Sequence, residues 1–135
     1  MTGRADAAGR ARALLPALFA GLVAVDVVGG LVDVAAGRSR LPDAWSSRAT
    51  LCAPWPMVLF QGVATTVAVR SDGASGRVAG GLLALACGVS VASGFFDGQL
   101  ARRDLTRAEV GFQAFLLAVT GTLGAVAAAA AATDR

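Results

Sequence analysis

Two aspartates, Asp26 and Asp33, lie seven residues apart inside one apolar run, residues 14–37. Seven residues is nearly two helical turns, so in a helix both carboxylates face one way, roughly 10 Å apart along the axis. Gly29, Gly30 and Gly37 share that face. A carboxyl near the middle of a membrane helix is unfavourable by about 2.5–3.5 kcal/mol on insertion scales, so a functional role is the default expectation for Asp26. With no cation beside it, such a group is expected to be neutral or to exchange a proton. Asp33 and Asp97 lie closer to helix ends, within reach of Arg38 and Arg102. The plainer reading of these two is an ion pair at headgroup level that sets helix register.

Two carboxylates in unlike surroundings can divide acid and base roles. Asp26 would be the protonated acid and Asp33 or Asp97 the base. Epoxide opening, isomerisation or cyclisation of a lipophilic substrate would fit that pair. The chain has no His, no Lys and no Tyr. This removes histidine bases, metal-binding imidazoles and Schiff-base lysines, and it leaves a Ser or Cys nucleophile without its usual activator. No metal site and no cofactor are expected. Gln61 and Gln113 add uncharged polar groups to the same half of the molecule. With Asp26, Asp33 and Asp97 they form the expected ligand-binding set, a polar track from a mouth at Asp33, Asp97 and Gln113 through Gln61 to Asp26. Gln61, Gln113 and Thr120 read equally as interhelical hydrogen-bonding groups.

The elements that must position these residues follow from hydropathy. The 135 residues are 56% hydrophobic, and mean hydropathy is +0.65. Four apolar blocks approach the length needed to cross about 30 Å of hydrocarbon. They predict an all-α integral membrane protein, a four-helix transmembrane bundle running up-down-up-down, with helices at about 14–36, 50–69, 78–100 and 108–132. Pro16 falls in the first turn of the first helix on this reading. An alternative for the N-terminus is a signal peptide ending near Ala36, but the run is long for one and contains two acids. Pro54 and Pro56 cannot lie inside a helix, so the second helix is regular only from about Pro56. A kinked or extended approach over residues 50–54 would complete its span. Residues 70–77 form a Gly/Ser turn, which makes helices two and three antiparallel neighbours. Ala84 and Gly88 suit close helix packing, and Thr106 with Glu109 forms a capping box. Cys52 and Cys87 fall at different depths and do not pair.

The net charge of +3 comes with twelve basic residues, all arginine, in loops and termini. That pattern suits anionic lipid headgroups, not nucleic acid. The arginines divide six and six between the two ends of the bundle, so charge bias sets no orientation. Small size, four helices, an acid in helix one and balanced charge are similar to the small multidrug transporters. That resemblance implies a homodimer of antiparallel subunits, although the family's aromatic and glycine motifs are not in register here. The expected function is a multi-pass protein of the cell membrane whose internal acidic site binds a small lipophilic or cationic ligand, as a proton-coupled transporter would. The alternatives are the acid/base enzyme above and an accessory or assembly subunit.

Overall fold

The computed structural model describes residues 2–46, 50–96, 98, 100 and 102–132. It is all-helical, with α1 (Thr2–Ala35), α2 (Trp55–Arg70), α3 (Gly73–Phe96) and α4 (Arg107–Ala132). α1, α3 and α4 are long and apolar enough to cross a membrane. α2 has 16 residues, about 24 Å of helix, which is short of a span.

Each helix packs on its neighbour in the chain, and α4 returns to pack on α1. Arg12, early in α1, reaches Asp72 between α2 and α3. At the other end Arg38, just past α1, reaches Glu109 at the start of α4. Successive helices therefore run in opposite directions. The buried positions recur at near-heptad spacing: Leu15, Leu22, Gly29 in α1 and Gln113, Leu116, Thr120, Leu123, Ala127, Ala130 in α4. That period keeps one seam of each helix inward along its whole length. Small residues bring α3 and α4 together, since a methyl group at Gly124 would meet Cys87, and one at Gly80 would press on Ala131.

Two of the helix starts, those of α1 and α3, differ from expectation. α1 begins at Thr2, not near residue 14, because its first turns are rich in Ala and Arg, both strong helix formers. Pro16 thus lies inside α1, where it removes one backbone hydrogen bond without ending the helix. α2 begins at Trp55, one residue from the Pro56 start expected for its regular part, and Pro54 sits at its N-cap with extended backbone (φ −59°, ψ 135°). α3 begins at Gly73, so Ser71 and Asp72 alone connect it to α2. The tight turn is achieved by Gly73, whose φ is +68°, and by Gly76, which has no Cβ to strike the Ser71 carbonyl.

α1 ends at a glycine stop. Gly37 takes φ +71°, its N–H donates to the Val34 carbonyl, and the Arg38 N–H donates to the Asp33 carbonyl. This Schellman arrangement places Arg38 beside the Asp33 side chain. α4 starts as expected: the Glu109 carboxylate accepts from the Thr106 N–H, while the Glu109 N–H donates to Thr106 Oγ1.

Candidate functional site

The polar stripe of α1 is covered by the chain's own backbone. Residues 50–54, the strap leading into α2, lie along the face that carries Asp26, Gly29, Gly30 and Asp33. Asp33 Oδ2 accepts from the N–H groups of Thr50 (2.8 Å) and Leu51 (2.9 Å). Asp26 Oδ1 accepts from the Ala53 N–H at 2.6 Å. The match of lengths is physical: seven helical residues rise about 10 Å, and three residues of extended chain reach about the same. The carboxylates thus supply acceptors for backbone donors that proline keeps out of helix, and buried donors of that kind need partners.

Gly29 lets the strap approach, and Gly30 makes room for Trp45. A Cβ at Gly29 would collide with the Leu51 carbonyl, and one at Gly30 would enter the Trp45 indole. Trp45 is pinned there because its Nε1–H donates to the Asp26 carbonyl at 3.2 Å, and its own carbonyl accepts from the Trp55 N–H. The Cys52 thiol donates to the Ala44 carbonyl. Both cysteines are free and buried.

At the outer end Asp33 Oδ1 accepts from Arg38 Nε at 2.9 Å, and Arg38 Nη2 donates to Glu109 Oε1 at 2.6 Å. Partial burial works to lower the Arg38 pKa, but hydrogen bonds to Asp33 and Glu109 raise it overall. This bridge ties the end of α1 to the start of α4. Arg102 pairs with Asp104 on the surface.

On the far side of the strap lies an interior cavity of about 330 Å³. Its wall combines strap residues with Gln61 of α2, Ser90 and Ser93 of α3, and Gln113 and Thr120 of α4. Gln61 is 1% exposed and Gln113 6%, yet the Oε1 atom of each lacks a hydrogen-bond partner. Gln61 Nε2 is turned toward Cys87 Sγ at 3.8 Å. Pro54, Val89 and Ser93, exposed residues on the cavity's rim, put its mouth between the start of α2 and the last turns of α3. A separate shallow groove on the outside of the strap is lined by Asp26, Trp45 and Trp55 among apolar side chains.

The single track expected from the sequence is therefore two arrangements. Gln61 and Gln113 share the cavity, whereas Asp26 and Asp33 bond to the opposite side of the strap. Neither carboxylate lines the cavity. Asp97 lies outside the described residues. Sequence reasoning overlooked Ser90 and Ser93, which carry no spacing signal, and it overlooked the strap as the partner of the carboxylates. The Gly29-Gly30 pair between two acids was the available clue, because adjacent glycines inside a helix mark a close backbone approach. Among the described residues, no three His, Cys, Asp or Glu side chains come together as metal ligands would. The chain matches no protein-family model, no curated protein and no solved structure.

Proposed function

We propose that the chain is a multi-pass membrane protein that binds a small lipophilic molecule in the cavity beneath the strap. On this reading the protein is an up-down-up-down bundle with four crossings, the strap and α2 together making the second. Arg12 and Asp33, the charged ends of the α1 span, are 21 residues apart, about 31 Å of helix and close to the hydrocarbon thickness. Asp26 then lies roughly 5 Å from the bilayer midplane.

The observation that carries the proposal is a cavity of about 330 Å³ walled by irregular backbone and by the polar residues Gln61, Ser90, Gln113 and Thr120. Non-helical backbone at membrane depth is tolerated where it is covered by protein or lines a cavity, and broken helices in transporters mark substrate sites. A mouth bordered by Pro54 and Val89 opens toward the lipid face, which suits a ligand dissolved in the bilayer. Asp26 and Asp33 belong to the same site as the groups that hold its wall. The geometry favours a binding or carrier role over an acid/base enzyme, since acid and base would both have to reach the cavity.

The test is native mass spectrometry of protein held in lipid nanodiscs, after incubation with an apolar extract of the host membranes. The wild type should retain a small-molecule adduct that Ser90→Leu, which fills the cavity, abolishes. Absence of any adduct, together with a higher melting temperature for Ser90→Leu, would mean the cavity is a packing void.

A further inference from the structure

We infer that the groove on the outer side of the strap is a second site, one that takes a lipophilic organic cation with its ammonium against Asp26 and its apolar body along Trp45 and Trp55. The groove holds about 550 Å³, within the range of roughly 300–1,000 Å³ usual for small-molecule sites. Its wall is Asp26 and the two indoles among Val23, Val27 and Val58. It shares no lining residue with the cavity beneath the strap.

The carboxylate is the polar feature that points to a ligand. Asp26 is 3% exposed, and among the described residues its side chain accepts one hydrogen bond, from the Ala53 N–H to Oδ1. Oδ2 has no such partner. Asp33 differs, since both of its oxygens are taken by Thr50, Leu51 and Arg38. The ion pairs of the described residues also leave Asp26 out. Nor is Oδ2 sealed inside the bundle. The fully enclosed, unpartnered side-chain atoms are those of Ser39, Gln61, Thr65 and Gln113, so the open oxygen of Asp26 keeps its access through the groove that Asp26 lines.

The surroundings of that oxygen select the occupant. A carboxylate held among apolar groups without a counter-charge is unfavourable, so the groove attracts a positive ligand and repels carboxylates and phosphates. Inorganic cations fit poorly, because calcium needs about six to eight oxygen ligands and magnesium a near-ideal octahedron. One open carboxylate oxygen among valines and indoles supplies neither. An organic ammonium brings its own apolar coat, and tryptophan is the strongest aromatic partner for a cation. Trp45 is already held in place by its bond to the Asp26 carbonyl, and Trp55 is 60% exposed, which leaves its surface for a ligand to cover. Pro42 and Ser46 extend the groove onto the loop after α1, so a cation descends to Asp26 from headgroup level.

The experiment uses the full chain in nanodiscs of zwitterionic lipid, with empty nanodiscs as the partition blank. The probe is phenylbutyltrimethylammonium, compared with the neutral isostere in which tert-butyl replaces trimethylammonium. Binding is measured by calorimetry and by fluorescence, because the chain's two tryptophans both line the groove. The ammonium should bind at least about tenfold more tightly than the isostere, as expected for contact with a charged group. Asp26→Asn, which keeps an oxygen for the Ala53 N–H, should lower ammonium affinity to the isostere's level and leave the isostere's own affinity unchanged. Ser90→Leu, on the other side of the strap, should alter neither. Equal affinities of the two probes in the wild type would overturn the inference, and that comparison holds whether or not Asp26→Asn folds. Ammonium binding that survives Asp26→Asn would also overturn it, as would ammonium binding abolished by Ser90→Leu, which would put the cation in the inner cavity.

Discussion

Replacing Asp33 with alanine should loosen the strap from α1 while leaving the helices formed. Asp33 is fully buried and its carboxylate accepts three hydrogen bonds, from Thr50, Leu51 and Arg38. Arg38 retains Glu109 and is partly exposed, so its loss is small. The two strap N–H groups have no such alternative, and a buried backbone donor left unpaired costs about 1–3 kcal/mol. Together with the broken ion pair, Asp33→Ala should destabilise by about 3–5 kcal/mol. Asp33→Asn keeps one acceptor oxygen. With that oxygen toward Thr50 and Leu51, its amide faces an arginine that can turn to solvent, so its cost should be about 1–2 kcal/mol. The assay is unfolding in mixed micelles with rising denaturing-detergent fraction, read by tryptophan fluorescence and far-ultraviolet circular dichroism. The chain has two tryptophans, Trp45 and Trp55, and both flank the strap, so fluorescence reports it directly. In Asp33→Ala the fluorescence transition should precede the loss of helix. A midpoint shift worth less than about 1 kcal/mol, with the two signals still coincident, would refute the idea that this carboxylate holds the strap.

Other perturbations test other contacts. Asp26→Asn retains an oxygen for the Ala53 N–H and should change stability by less than about 1 kcal/mol, whereas Asp26→Ala should cost about 1–3 kcal/mol in the same unfolding assay. Gly29→Ala should destabilise by about 1–3 kcal/mol through collision with the Leu51 carbonyl; Gly21→Ala, which meets nothing within 4 Å, should be neutral or stabilise by up to about 1 kcal/mol. Cys52 and Cys87 should react with a maleimide only after denaturation, and no intramolecular disulfide should form under mild oxidant, as read by mass spectrometry. Reporters fused at the two termini, one active inside and one outside the cell, should place both ends on the same side; opposite sides would mean that the strap and α2 do not cross.

Much of the helix framework was legible in local chemistry. Proline at 54 and 56 denies residues 50–54 a helix, the Thr106–Glu109 pair caps α4, and a seven-residue spacing puts Asp26 and Asp33 on one stripe. These are short-range facts, governed by backbone sterics and helical pitch, and one chain segment suffices to state them. The start of α1 was misjudged because polarity suggested a tail, whereas Ala and Arg favour helix whatever the solvent. The partner of the acidic stripe was a different kind of question. A carboxylate accepts a proton donor from a ligand, an arginine or a backbone N–H with similar geometry, so its residue type cannot say which it will meet. Only the packing of α2 against α1 brings the strap's unpaired N–H groups to Asp26 and Asp33 and turns both acids away from the cavity. The same packing leaves Gln61 and Gln113, ordinary interhelical glutamines by sequence, among the buried groups with unmet hydrogen bonds.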